Sequence, residues 1–443
     1  MRAITLRETF LFDGHPMLMP KASNLYDSVA PTRMCPAASD SANSTPPAAG
    51  HTEPIRVMFL VRKLPDAESG RAAEQLITRL NPNRFIPSLS SLHELGTVGE
   101  TLARTIPATS HVVQHRLDLA AVVRLARQLR GRIDALLTVG SGEPMFWGCA
   151  AARWARTPVV LSVLDPLDRP VKLPLANRVV VHWSDGLITD RDEQRRDLIQ
   201  RQRLVVPAIH VIPPGVDTQQ FNFQPTEAFS VRRRLQVPSG APLCGLAAVN
   251  WTESSLRRTF EIVNRVRSNV ASAQFVLISS DASSLSVPQR LQQARLDMCV
   301  HVVDGHDDLP RVLSALNVLG FVGPSLPQPI LAWQAMSTQV PVVAGRESGL
   351  VDSPDLDGAN YWLAAGDANE LAGRMAQLIG DPLLARRLGE RMRQFVRKYR
   401  SLEVMVRRYE QLIIDTHQRK RSGPGAVLPA ALHDTVEFCG AAP

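Results

Sequence analysis

Residues 324–353 read PSLPQPILAWQAMSTQVPVVAGRESGLVDS. The apolar run Val318 to Val322 enters this stretch and stops in a proline-rich loop. A short helix carrying Gln334-Ala-Met-Ser337 comes next, and then a Val-Pro-Val-Val-Ala strand with a glycine-bearing turn. Proline cannot donate to a sheet ladder, so it punctuates the loop. A short apolar run rich in valine suits a strand covered on both faces. Strand, helix and strand in succession form the unit of a parallel sheet.

The same rhythm extends in both directions. Towards the N-terminus, strands are expected at Leu243–Val249, Gln274–Ile278 and Val300–Val303, with helices near Leu256–Val266, Pro288–Met298 and Leu309–Leu316. Earlier still, Ile55–Val61, Ala135–Val139, Pro158–Val163 and Gly186–Thr189 read as strands, and Ala72–Leu80, Leu117–Arg130 and Met145–Trp154 as helices. This alternation predicts two doubly wound parallel sheets of the α/β class. The connector Val211-Ile-Pro-Pro-Gly-Val-Asp217 is stiffened by its prolines. Residues from Asp381 to about His417 read as one long basic helical segment. Residues 1–53, rich in Ala, Pro, Ser and Thr, are expected to be a disordered extension, and 418–443 a loose tail.

This ordered series resembles the family 4 (group 1) glycosyltransferases of GT-B fold. Val211-Ile-Pro-Pro-Gly-Val-Asp-Thr218 with Phe221 is similar to that family's Ile-Pro-Asn-Gly-Val-Asp connector. Asp307-Asp-Leu-Pro310, Gly366-Asp367 before a Leu-Ala helix, and the closing basic helix also match. The resemblance implies an N-terminal Rossmann-like acceptor domain over 54–215 and a nucleotide-sugar domain over 216–395. It also implies a cleft between the two and a crossover helix over 396–417 returning to the first domain.

The family pocket carries a Glu-x7-Glu motif and a Gly-Gly-x-x-Glu turn. By resemblance Gln328 stands at the first Glu, with a two-residue deletion allowed, and Gln334 at the second; the turn becomes Ser348-Gly349-Leu-Val-Asp352. A glutamine keeps an acceptor oxygen for a sugar hydroxyl but loses charge assistance. Val249 and Ser254 replace the family's Arg and Lys, leaving Arg257, Arg258 or Arg346 to neutralise the diphosphate. On the acceptor side Gly70 keeps the helix entry. Leu164-Asp165 replaces His-Asp, so Asp165 stands beside the reacting centre with Gln328, and Asn317 replaces an Asp.

The implied reaction moves a sugar from a nucleotide diphosphate sugar to a saccharide or lipid-linked acceptor, retaining and independent of metal, with no cofactor. The substitutions leave a second reading open, a pseudo-glycosyltransferase that partners an active transferase. The chain has a net charge of +8 and 44% hydrophobic residues, and its five cysteines show no paired or metal-like spacing. No run of about 20 apolar residues or secretory leader is evident, so the expected location is cytoplasmic. Basic helices, including the amphipathic Leu117–Arg130, offer peripheral contact with the inner membrane face, although packing on the chain's own sheet is the better account of that helix. Sparse aromatic interleaving argues against nucleic acid as a partner.

Overall fold

A computed structural model describes residues 53–64, 68–114, 118, 120–165, 173–201, 204, 208–248, 251–279, 287–304, 308–323, 329–345, 363–365 and 367–422. Seven strands form the first sheet: β1 (Ile55–Val61), β2 (Phe85–Ser91), β3 (Ala108–Thr109), β4 (Ala135–Val139), β5 (Val159–Val163), β6 (Gly186–Thr189) and β7 (Ile209–Val211), ordered β3-β2-β1-β4-β5-β6-β7. Every described ladder is parallel. The second sheet has six: β8 (Leu243–Ala247), β9 (Gln274–Ser279), β10 (Val300–Asp304), β11 (Val318–Phe321), β12 (Val342–Gly345) and β13 (Leu363–Ala365), ordered β10-β9-β8-β11-β12-β13 and also parallel. Both sheets wind outward from a central pair, the GT-B pattern expected from the sequence.

Alternation along β1 builds two cores from one strand. Met58 and Leu60 join Leu136 and the helix Ala120–Leu129 on one face. Val57, Phe59 and Val61 join Leu137 and Val139 on the other, where Leu402, Met405, Val406, Tyr409 and Ile413 of the last helix, Leu402–Ser422, also pack. The C-terminal helix therefore completes the N-terminal sheet, while Leu388, Met392, Phe395 and Val396 just before it belong to the core of the second sheet.

The expected single basic segment is instead broken. The helix Pro382–Phe395 runs into a π-helical turn, Val396–Arg400, and then Ser401 adopts an extended conformation. Val216 pairs there: its N–H donates to Arg400 O at 2.8 Å, and Leu402 N–H donates to Val216 O at 2.9 Å. Backbone bonds from the connector thus take over where the helical ladder lapses. Around this crossing, Arg79 pairs with Asp217 at 2.6 Å and Asn81 N–H donates to Glu410 Oε1 at 2.7 Å.

Cys149, Cys244 and Cys299 are buried free thiols, with burial pushing Cys149 up to about 11 and Cys244 up to about 12. Among the described residues no helix is long and apolar enough to cross a membrane.

Candidate functional site

In an open parallel sheet, connections leave the two central strands in opposite directions and open a crevice beyond their carboxyl ends. In the first sheet this place lies between β1 and β4, and a cavity of about 210 Å³ occupies it. Arg62 and Lys63 follow β1 into its wall, Gly70 enters from the helix Glu68–Arg79, and Asp165 arrives just beyond β5. Gly140, Gly142, Glu143 and Pro144 supply the remaining polar loop.

The loop is shaped by local chemistry. Gly140 sits at φ +108°, where a side chain would be strained. Ser141 then donates to Asp165 Oδ2 through both its N–H, at 2.8 Å, and its hydroxyl, at 2.9 Å. From the other side, Asn177 Nδ2 donates to the carbonyls of Ser141 and Gly142, the latter at 2.9 Å. Gln194 Nε2 holds the Asp165 carbonyl at 3.1 Å. Glu143 opens the helix Glu143–Ala155 with Pro144 behind it, a residue pair suited to a helix start.

Charges of both signs frame the rim. His93 Nε2 and Glu143 Oε2 are 2.9 Å apart, and Lys63 pairs with Glu94. The hydrogen bond from Lys63, reinforced by its charge, holds the Glu94 carboxyl below the usual range. The crevice offers hydroxyl-binding groups and a fixed carboxylate at the end of a sheet.

Gly70 and Asp165, expected on the acceptor side, meet in this one cavity. Of the expected donor-side residues, Gln334 is half-buried on the helix Pro329–Ser337, and Arg257 and Arg258 are exposed on the helix Glu253–Asn269. Gln328, Arg346, Ser348, Gly349 and Asp352 lie outside the described residues, as does Val249. The Gln334 helix is firmly seated. Ser337 Oγ donates to Phe221 O at 2.6 Å, Arg393 Nη1 donates to Ser337 O at 2.7 Å, and the Arg400 guanidinium lies 5.5 Å from the Trp333 ring centre. Asn317 has a structural duty: its Oδ1 accepts from Leu243 N–H at 2.8 Å and from Arg232 at 2.5 Å.

Ser141, Glu143, His93, Lys63 and Asn177 were not singled out from the sequence. A signal was present in Gly140-Ser-Gly-Glu-Pro144, two glycines between a strand end and a helix-starting proline. The amphipathic helix of the N-terminal half turns Ala121, Leu125, Ala126 and Leu129 into the core, and Arg124 is held by Asp118 and the Val112 carbonyl.

Residues 88–220 match the family described as Glycosyltransferase Family 4, and residues 245–381 match Glycosyl transferases group 1. The two matches fall on the two sheets in the order that the connector predicts. The chain belongs to the family 4, group 1 glycosyltransferases.

Within this glycosyltransferase family, one relative is the D-inositol 3-phosphate glycosyltransferase of Corynebacterium jeikeium, 24% identical over 270 residues. That alignment covers 58% of this chain and 64% of the relative, so the chain spans just under two thirds of that relative's length. Among solved structures, a glycosyltransferase from Rickettsia africae superposes with a TM-score of 0.67 at 14% identity, covering 82% of this chain and 98% of that one. Anabaena HepE, solved in complex with UDP, gives a TM-score of 0.65 at 15% identity over 82% of this chain and all of that one, 100%. These likenesses establish the GT-B glycosyltransferase fold.

Proposed function

We propose that this protein transfers a sugar from a nucleotide diphosphate sugar to a saccharide or lipid-linked acceptor. The acceptor enters the β1/β4 crevice and the donor binds at the second sheet. The observation that carries the reading is the convergence of Gly70, the Gly140–Gly142 loop and the tethered Asp165 at the carboxyl ends of β1 and β4. A fixed carboxylate beside a glycine-formed turn can orient a hydroxyl without reorganising during reaction. HepE, which shares the fold, has been solved in complex with UDP and with UDP-glucose. By the family pattern the transfer retains configuration without a metal, the leaving diphosphate taking the acceptor proton. Gln328, Gln334, Ser348, Gly349 and Asp352 hold the donor, and Arg257, Arg258 or Arg346 meets the diphosphate.

One observation favours a second reading. Leu164, which stands where relatives carry histidine, is buried in the apolar core and cannot exchange a proton. Together with the substituted donor positions, this suits a catalytically silent partner of an active transferase.

A panel of uridine and guanosine diphosphate sugars separates the two. At a hundredfold excess over its dissociation constant a bound donor stabilises the fold by about 2.7 kcal/mol, a clear melting shift. Transfer predicts a shift with one donor class and release of the nucleoside diphosphate on turnover. A flat panel, with a second transferase co-purifying, would establish the partner reading instead.

A further inference from the structure

A second cavity, of about 160 Å³, lies at the amino ends of the strands of the first sheet, the end opposite the crevice. Ile55, which begins β1, and Arg84, which precedes β2, form one wall. His417, Gln418, Arg421 and Ser422, at the end of the helix Leu402–Ser422, form the other. The backbone of the first wall is fixed: Arg84 N–H donates to Asn81 O at 3.0 Å, and Ile55 N–H donates to Arg84 O at 2.9 Å. The Arg84 side chain is left exposed beside the cavity.

The charges at this end divide unevenly. Glu53 also lines the cavity, and Asp134 stands just before β4. Both act on one arginine: Arg56 donates to the two Asp134 oxygens at 2.9 and 2.8 Å, and the Glu53 charge adds to its environment. Among the described residues, neither Arg84 nor Arg421 has an ion-pair partner. Burial lowers His417, Asp134 opposes that, and Arg421 adds to it, so Arg421 stands near enough to repel a proton on the imidazole.

The carbonyl end of a helix carries about half a negative charge, which disfavours an anion. Arg419, Lys420 and Arg421 in the last turn answer it. Lys420 pairs with Asp185 at 2.6 Å, Arg419 lies near His210, and of the three Arg421 lines the cavity. Two guanidiniums and a histidine therefore border one space, repelling each other while it holds only water. A guanidinium fork matches the oxygens of a phosphate, which would turn that repulsion into attraction. The volume has room for an ion of that size, yet falls below the roughly 300 Å³ at which pockets for larger ligands begin.

We propose that this cavity binds a phosphate-class oxyanion between Arg84 and Arg421, with His417, Gln418 and Ser422 as further donors. The ion joins the start of the sheet to the last turn of the helix that returns from the second domain. The site is separate from the crevice and requires no sugar transfer.

The test is a melting titration of the full chain in which inorganic phosphate replaces chloride at constant ionic strength. The melting temperature should rise and saturate. Arg84→Gln with Arg421→Gln should weaken the apparent affinity about tenfold or more, since each charge-assisted contact contributes on that scale. Glu53→Gln removes the carboxylate from the wall and should tighten binding, a gain that loss of structure would not produce. Arg407→Gln, exposed on the same helix but away from the cavity, should leave the titration unchanged. Arg257→Gln with Arg258→Gln, on the proposed donor side, should leave it unchanged as well.

Circular dichroism without phosphate confirms that the variants fold. Glucose 1-phosphate in the same titration separates two sources of the ion: a weaker response than to phosphate assigns the free ion, an equal or stronger one a phosphomonoester, and either supports the site. A titration that never saturates, or an unchanged response in the Arg84/Arg421 variant, overturns the proposal. So does a response lost in the Arg257/Arg258 variant, which would place the ion at the donor side. A flat donor panel with the phosphate response intact would sink the transfer reading and leave this site standing.

Discussion

Asp165 holds Ser141 twice, its Oδ2 accepting from the backbone N–H at 2.8 Å and from the hydroxyl at 2.9 Å. One oxygen beyond β5 thereby fixes the turn leaving β4, and the crevice inherits its shape from that bond pair. Asp165→Ala leaves the Ser141 donors to find other partners and should cost about 1–3 kcal/mol in urea denaturation. Asp165→Asn keeps an acceptor oxygen and should recover most of that loss. If Asp165 also acts on the acceptor, the Asn variant loses turnover while keeping its denaturation midpoint. Parallel loss of both would confine the residue to holding the loop.

Gly215 marks the tightest backbone approach at the domain crossing. A Cβ placed there would stand 2.6 Å from Leu402 Cα and 2.9 Å from Ser401 O, both backbone atoms that no rotamer change can move. Gly215→Ala should therefore destabilise by about 1–3 kcal/mol through overpacking. The check is a urea titration; a midpoint unchanged from wild type would mean that the two crossing strands separate at no cost.

The central strands were legible because burial on both faces leaves an unmistakable apolar run, as in Ile55–Val61 and Ala135–Val139. Phe85–Ser91 escaped notice: it carries Pro87 and three serines, whose hydroxyls find partners distant in sequence that only the fold brings near, as when Ser91 Oγ donates to Arg62 O at 2.8 Å. Ile209–Val211 and Ala108–Thr109 are too short to show a period. Gly70 and Asp165 were found through the family resemblance, at its glycine-bearing helix entry and its His-Asp position. His93 and Glu143 were not, since only the sheet order brings the loop after β2 beside the loop after β4. The break at Ser401 is likewise set by a partner distant in sequence, Val216, and no local signal announces it.

Three histidines bear on acid stability. Burial lowers His210, with nearby Arg419 adding to the effect, and burial alone lowers His301. Burial also lowers His417, where Asp134 partly opposes it and Arg421 assists. With folded values below the ordinary 6.5, the unfolded chain binds more protons in this range, so stability rises with pH. Melting temperature should fall as pH drops from about 7 through 6.5 towards the lowered folded values. His210→Gln should flatten that slope, and an identical slope in the variant would remove His210 from the account.

Gln334 provides the sharpest test of the donor site. By the family resemblance it takes the place of the carboxylate proposed to accept from the nucleotide ribose, on a helix pinned by Ser337, Arg393 and Arg400. Restoring that charge with Gln334→Glu should strengthen a hydroxyl bond by about 1 kcal/mol, or roughly fivefold in nucleoside diphosphate affinity. Gln334→Ala should weaken affinity by a similar factor, because the ribose hydroxyl loses its acceptor. Calorimetric titration with UDP and GDP reads both directly. Should all three proteins bind equally, Gln334 does not touch the nucleotide, and the likeness at this position is one of helix packing alone.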